Sequence, residues 1–243
     1  MDMKRLGNSV ATIGLVPLII AQGLYVRRVT PRLPEPEGSR SGLDGAGSSI
    51  SLLILGDSAA AGVGVSTQNE ALSGQLVSAL GSDFRVSWKL IARTGHTAKT
   101  VAAMLETVSP EAFDVVVTSI GVNDVTHGTM VRQWINQQRQ IIDLLQSKFH
   151  ARYILLSSLP PMHLFPALPQ PLRWYLGMRA RRFNGLLTEI AADCSRCELV
   201  TTHFPLEDAY MAVDGFHPGA RAYSAWANQI AADIRSRLAS DGR

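Results

Sequence analysis

Short apolar runs alternate with amphipathic segments along the chain from residue 50 to residue 240. The apolar runs are typical of buried strands and cover residues 51–56, 84–92, 113–121, 152–160 and 198–202. Apolar positions recur at helical spacing over residues 71–81, 97–108, 129–149, 174–193 and 220–240. Because strands that alternate with helices pair in parallel, the pattern predicts an α/β domain whose parallel sheet is covered on both faces.

The first 49 residues follow a different pattern. A short basic head precedes residues 10–26, which carry no charge, and residues 29–49 are rich in Pro, Gly and Ser. We interpret residues 1–28 as a hydrophobic anchor or signal segment, residues 29–49 as a flexible linker, and residues 50–240 as the folded domain. A spanning helix needs about 17–25 residues, so an uncleaved membrane anchor, a cleaved signal peptide and a packed helix all remain open. A membrane-anchored or exported protein of the cell envelope is expected.

Composition and charge exclude several classes of protein. The 243 residues are 46% hydrophobic and 18% charged, which is typical of a globular chain and not of a disordered one. The net charge of +3 is not gathered into a basic face, so we expect no nucleic-acid partner. The chain has two cysteines, Cys194 and Cys197, in one CxxC arrangement. Without a second pair a structural zinc site is not expected, which leaves two plain thiols, a disulfide or a redox pair.

Polar residues capable of chemistry follow the predicted strands. Gly56-Asp57-Ser58 follows the first strand, Arg93-Thr94-Gly95-His96 the second and Gly121-Val122-Asn123-Asp124 the third, while Asp214-Gly215-Phe216-His217-Pro218 precedes the last helix. In open parallel sheets, sites form beyond the carboxyl ends of the strands. The set supplies a hydroxyl, an imidazole, a carboxylate and an amide, which are the groups that acyl transfer to a serine requires.

These segments resemble the SGNH hydrolases, also called GDSL esterases and lipases, over roughly residues 50–238. The resemblance implies a flavodoxin-like three-layer α/β/α sandwich with a five-stranded parallel sheet. It also implies that Ser58 is the nucleophile, His217 the base and Asp214 the third triad member. The oxyanion donors would be the Ser58 N–H, the Gly95 N–H and the Asn123 amide. This chain departs from the family pattern at Ala59, where leucine is usual, and at His96, where a small or acidic residue is common.

The activity expected from this resemblance is hydrolysis of carboxylic esters through an acyl-serine intermediate, with no cofactor and no metal. The substrate would be a small-molecule ester or a lipid or glycan acyl group. Alternatives are a carbohydrate O-deacetylase or acyltransferase with the same triad, and a non-catalytic binding module. Residues 159–177 are rich in proline and apolar side chains. We expect Met162, Leu164 and Phe165 from this loop, together with His96, to contact the substrate.

Overall fold

The structure is a computed structural model that describes residues 3–201 and 208–241. Its strands are β1 (Ser41–Asp44), β2 (Ser48–Gly56), β3 (Phe84–Ala92), β4 (Val115–Ser119), β5 (Tyr153–Ser157) and β6 (Cys197–Val200). Its helices are α1 (Met3–Val29), α2 (Ser58–Ala61), α3 (Leu72–Leu80), α4 (Ala98–Thr107), α5 (Val122–Thr126), α6 (Val131–Ser147), α7 (Leu172–Ala192) and α8 (Ala220–Asp241). Two short 3-10 helices cover Met162–Leu164 and Asp208–Tyr210.

The strands form one mixed sheet in the order β1-β3-β2-β4-β5-β6. Five strands, β2 to β6, are parallel, as the alternating pattern predicted, whereas β1 pairs antiparallel with β3. The expectation of a five-stranded, wholly parallel sheet is therefore corrected to six strands. The additional strand lies in residues 29–49, which were predicted to form a flexible linker. All four residues of β1 are exposed, so the segment has no apolar alternation from which a strand could be predicted.

The two faces of the sheet carry separate hydrophobic clusters. Successive side chains of a strand point to opposite faces, so Leu53 and Leu55 join the cluster beneath α4, α6 and α7, whereas Leu52 and Ile54 join the one beneath α3 and α8. All four side chains are fully buried. This burial on both sides explains why the run is continuously apolar, as is usual for parallel strands between two helical layers.

Helix α1 packs on the amino-terminal part of α7. Its Ile19 is buried, and its Gln22 side chain accepts a hydrogen bond from the Leu172 N–H (3.0 Å) and donates one to the Gln170 carbonyl (2.6 Å). Over residues 3–201 and 208–241, no helix is both long and apolar enough to cross a membrane.

Cys194 lies in the turn between α7 and β6, Cys197 is the first residue of β6, and both are free thiols. The Cys194 Sγ accepts a hydrogen bond from the Gln146 side chain at 3.1 Å. Burial and the neighbouring Cys194 raise the pKa of the Cys197 thiol well above its usual range. Because the thiolate is the reactive form of cysteine, this environment disfavours a redox role.

Candidate active site

The candidate site lies where three central strands end at the same edge of the sheet. Gly56, the last residue of β2, is in register with Ala92 of β3 on one side and with Ser119 of β4 on the other. Hydrogen bonds continue just beyond the strands, from the Arg93 N–H to the Gly56 carbonyl (3.3 Å) and from the Asp57 N–H to the Ser119 carbonyl (3.1 Å). The three segments singled out in the sequence therefore leave the sheet side by side, at strand spacings of about 5 Å.

Ser58 is the first residue of the short helix α2. Asp57 caps this helix, because its Oδ1 accepts a hydrogen bond from the Ala59 N–H at 3.1 Å. Asp57 is 2% exposed, and this burial raises the pKa of its carboxyl to about 7. Asp57 therefore orients the turn that carries Ser58, and its carboxyl is not directed at His217 by any hydrogen bond between described residues.

Ser58, His217 and Asp214 form one hydrogen-bonded line. The His217 Nε2 lies 2.9 Å from the Ser58 Oγ, and the His217 Nδ1 lies 2.6 Å from the Asp214 Oδ2. Both distances are within hydrogen-bond range. The structure thus brings together residues that are 159 positions apart in the sequence, in the arrangement by which a carboxylate orients an imidazole and the imidazole faces a hydroxyl.

The Asp214 carboxylate is held by more than the imidazole. Its Oδ1 accepts hydrogen bonds from the N–H groups of Phe216 and His217, each at 3.0 Å. Burial opposes ionisation of this carboxyl, but the hydrogen bonds from the His217 ring and from the two backbone N–H groups outweigh it and hold the pKa of Asp214 below its usual value. Asp214 is therefore a buried, ionised partner for His217 at neutral pH.

The oxyanion donors suggested by the family resemblance surround the same edge. Gly95 lies in a tight turn closed by a hydrogen bond from the His96 N–H to the Arg93 carbonyl (3.2 Å), and its φ of +84° matches the glycine position of a type II turn. An added Cβ at Gly95 would meet no atom within 4 Å, so a ligand has room to approach. The backbone N–H groups of Ser58 and Gly95 have no acceptor among the described residues.

Asn123 lies on α5, directly after β4, and is half-buried. Its Nδ2 donates a hydrogen bond to the His96 carbonyl at 2.9 Å, which leaves the second N–H of the amide available for a ligand. Its neighbour Asp124 is fully buried and accepts from the Ala98 N–H at 2.9 Å. Asp124 thereby ties α5 to the start of α4 and fixes the position from which Asn123 projects.

A mostly apolar cavity opens at Ser58. Its volume is about 60 Å³, well below the roughly 300–1,000 Å³ of sites for drug-sized ligands, so it suits a short chain. Phe165 contributes to its wall, as the sequence predicted for a substrate contact. The Phe165 ring packs edge-on against the Phe216 ring, with centroids 5.1 Å apart, and Phe216 in turn lies 5.5 Å from the His217 ring.

Three other predicted substrate contacts lie away from this cavity. Met162 is fully buried in the hydrophobic core and Leu164 is 51% exposed, because the 3-10 turn that carries them directs neighbouring side chains in different directions. His96 meets Asn123 through its backbone carbonyl, and its ring does not line the cavity. Burial, followed by the charge of Arg93, lowers the pKa of the His96 imidazole. None of the three lines the cavity, and their contact with the substrate stays a prediction.

The cavity is also lined by residues for which no substrate contact was predicted: Val122, Pro160, Met211, Phe216 and Trp226. Phe216 could have been inferred, since it directly precedes His217. Trp226 gave no such signal, because its spacing on α8 is that of an ordinary core residue. Within the described part of the chain, no group of three or more His, Cys, Asp or Glu side chains is placed to hold a metal ion.

Residues 54–225 match the GDSL-like lipase/acylhydrolase family. The chain belongs to this family. The resemblance that its motifs indicated is thereby confirmed, and with it the class of the enzyme, a hydrolase of carboxylic esters. No curated protein sequence matches the chain.

Several solved structures share this fold at low sequence identity. A member of the lipolytic protein G-D-S-L family from Veillonella parvula DSM 2008 is 16% identical with a TM-score of 0.61, over 78% of this chain and 100% of its own. The psychrotrophic esterase EstA from Pseudoalteromonas sp. is 21% identical with a TM-score of 0.56, over 77% and 98%. Est24, a carbohydrate acetylesterase from Sinorhizobium meliloti, is 16% identical with a TM-score of 0.54, over 77% and 99%. The predicted α/β fold is thereby confirmed.

Proposed function

We propose that this chain hydrolyses carboxylic esters of apolar acyl groups through an acyl-Ser58 intermediate. The observation that carries the proposal is the unbroken line from the Ser58 Oγ to the His217 Nε2 and from the His217 Nδ1 to the Asp214 Oδ2, at 2.9 and 2.6 Å. A serine hydroxyl is a weak nucleophile at neutral pH and needs such a base within hydrogen-bond reach.

In the first half of the reaction, the Ser58 Oγ attacks the carbonyl carbon of the ester while the His217 Nε2 takes the hydroxyl proton. Asp214 stabilises the resulting imidazolium. The carbonyl electron pair moves onto oxygen, where the N–H groups of Ser58 and Gly95 and the amide of Asn123 donate to it. The bond to the alcohol oxygen then breaks, and the alcohol leaves with the proton from His217.

In the second half, water attacks the acyl-Ser58 carbonyl and gives a proton to His217. The tetrahedral intermediate collapses, the bond to the Ser58 Oγ breaks, and the proton returns to that oxygen. The products are a carboxylic acid and the free enzyme. No cofactor enters this sequence of steps.

The cavity wall supports an apolar acyl group as the part of the substrate next to Ser58. The cavity beside Ser58 is lined by Phe165, Phe216, Val122 and Met211. Apolar side chains of this kind favour burial of a hydrocarbon chain. The second candidate is a carbohydrate O-acetyl group, in line with the carbohydrate acetylesterase activity named for Est24. The lining is mostly apolar and offers few hydrogen-bond partners for a sugar ring, and we therefore rank this candidate second.

The test is a panel of p-nitrophenyl esters from acetate to decanoate, with acetylated xylan as the glycan substrate. We expect kcat/KM to rise beyond acetate, and Ser58→Ala to abolish both hydrolysis and labelling by a fluorophosphonate probe. Ser78→Ala is the matched control, since Ser78 lies exposed on α3, and it should retain full activity. Ester hydrolysis that survives in Ser58→Ala would refute the mechanism, and a preference for acetylated xylan would favour the second candidate.

We also propose that the amino-terminal segment holds the enzyme at a membrane of the cell envelope. Ten large apolar side chains are exposed among the described residues, and six of them belong to α1, namely Val16, Leu18, Ile20, Leu24, Tyr25 and Val29. Such a concentration of exposed apolar residues is typical of a binding surface. Next to it, Leu24 and Tyr25 line a groove with Arg27, Arg28 and Arg32, and arginines at this position favour anionic lipid headgroups.

This second proposal is tested by flotation of the full chain with vesicles of phosphatidylcholine alone and of phosphatidylcholine with phosphatidylglycerol. We expect binding to the anionic vesicles, weakened in the combined variant Arg27→Gln, Arg28→Gln, Arg32→Gln. The charge-matched control carries Arg85→Gln, Arg181→Gln and Arg182→Gln, at positions that are exposed elsewhere on the fold. It should bind the anionic vesicles as the parent does. Absence of binding to either kind of vesicle would refute the membrane proposal and leave ester hydrolysis untouched.

A further inference from the structure

The turn that carries Gly95 is held from outside by the segment before β1. The Glu35 Oε1 accepts two hydrogen bonds from Thr94, one from its N–H at 2.7 Å and one from its Oγ1 at 2.8 Å. The Glu35 Oε2 accepts from the Arg40 Nη1 at 2.9 Å. Arg40 also donates through its Nη2 to the Ala92 carbonyl, the last carbonyl of β3. Together, Glu35 and Arg40 form a clamp on the entry to the Gly95 turn.

The other side of the turn is held by the active site itself, because the His96 carbonyl accepts from the Asn123 amide at 2.9 Å. Gly95 therefore lies between two fixed peptides, Thr94 on the clamp and His96 on Asn123. The glycine has no side chain that could pack, and an added Cβ would meet no atom within 4 Å. Among the described residues, these two attachments and the turn itself fix the direction of its N–H.

The ionised form of the Glu35 carboxyl is favoured by its hydrogen bonds to the turn. Partial burial opposes ionisation of the carboxyl, but the two hydrogen bonds from Thr94, followed by the hydrogen bond and the charge of Arg40, keep the pKa of Glu35 below its usual value. Charge-assisted hydrogen bonds of this kind are shorter and stronger than neutral ones. The two bonds to Thr94 converge on one oxygen atom, and they restrain both the backbone and the side chain of that residue.

We propose that Glu35, supported by Arg40, is a positioning residue that aims the Gly95 N–H at the oxyanion of the tetrahedral intermediate. The inference rests on the proposed function, since it gives Gly95 a role in that step. Loss of an oxyanion donor typically costs about 10²–10³ in kcat, and a displacement of about 1 Å can cost about 10². We expect Glu35→Ala to lower kcat by about ten- to a hundredfold, with little change in KM, because the donor acts on the transition state.

The experiment compares three variants of the full chain on p-nitrophenyl butyrate. Glu35→Ala removes the acceptor. Glu35→Gln keeps an acceptor oxygen for Thr94, and we expect it to restore kcat to within about threefold of the parent, since a neutral hydrogen bond remains. Glu37→Ala is the matched control, because the Glu37 side chain is exposed and makes no hydrogen bond to described residues; it should leave kcat unchanged.

A trifluoromethyl ketone analogue of the substrate distinguishes positioning from a loss of folding. Its adduct with Ser58 places a charged oxygen where the intermediate has one, so its Ki should rise in Glu35→Ala by the same factor by which kcat/KM falls. Thermal unfolding and fluorophosphonate titration give the folded, active fraction to which kcat is normalised. An unchanged kcat in Glu35→Ala, or a Ki that does not follow kcat/KM, overturns the inference. Activity that survives in Ser58→Ala would instead overturn the proposed function.

Discussion

Asp57 offers a sharp test of the electrostatics at this site, because its carboxyl is buried beside the nucleophile. Its pKa rises from an ordinary 3.8 to about 7 through burial, which the hydrogen bond from the Ala59 N–H and the charge of His217 only partly offset. At about 1.4 kcal/mol for each pH unit of displacement, the difference between folded and unfolded chains corresponds to about 4 kcal/mol.

The sign follows from which state binds the proton. Between pH 4 and 7 the unfolded chain has lost the Asp57 proton while the folded chain still holds it, so the free energy of unfolding falls as the pH rises. Asp57→Asn removes this titration and keeps an Oδ1 that can accept from the Ala59 N–H. The free energy of unfolding of the variant, relative to that of the parent, should therefore rise by about 4 kcal/mol between pH 4 and pH 7. It should rise no further at higher pH.

The assay is urea unfolding at a series of pH values, followed by tryptophan fluorescence. Asp214→Asn is the control of opposite sign, since the pKa of Asp214 is lowered. The parent's stability advantage over that variant is complete above the ordinary carboxyl pKa and disappears as the pH falls through the folded pKa. The difference in the free energy of unfolding between Asp57→Asn and the parent should widen as the pH rises from 4 to 7. If it stayed constant or narrowed, burial would not be the cause of the raised Asp57 pKa.

Three further predictions concern turnover, specificity and folding. Asn123→Ala should lower kcat by about 10²–10³ in steady-state assays, because one oxyanion donor is lost; an unchanged kcat would count against that role. Phe216→Ala should lower kcat/KM by about tenfold for butyrate and hardly at all for acetate, since it removes apolar wall; an equal loss on both esters would contradict this. Gly56→Ala should unfold the protein or sharply lower its melting temperature, because the added Cβ would lie 2.2 Å from the Ser119 carbonyl oxygen, and a normal melting temperature would refute the close packing.

Much of the site could be predicted from the sequence because its residues follow directly on apolar runs. Ser58 comes two residues after Gly56, the end of β2, and Asn123 comes four residues after Ser119, the end of β4. Both therefore lie at the common edge where the parallel strands end. Asp214 and His217 are close in sequence, so their pairing is local. Periodicity also predicted the five parallel strands and the main helices, since burial on one or two faces leaves a regular apolar pattern.

What the sequence could not predict depends on contacts between distant segments without a regular pattern. The hydrogen bonds from Thr94 to Glu35 join residues 59 positions apart, and Glu35 lies in a segment rich in proline and glycine. In the loop before α7, apolar composition predicted wall contacts, yet only Phe165 of the three named there lines the cavity. Apolar character alone cannot distinguish a core residue such as Met162 from a wall residue, because both are buried for the same reason.

The strand β1 also has a consequence for how the chain behaves in solution. β3 is nine residues long and carries Phe84 and Trp88, and β1 covers part of its outer edge from Ser41 to Asp44. A fragment that began after Asp44 would present that edge unpaired, and long unpaired edges recruit strands from other molecules. Such a fragment should precipitate or form intermolecular β-structure on concentration. In the full chain this edge of the sheet is β1, a short and wholly exposed strand that offers few backbone groups for pairing with another molecule.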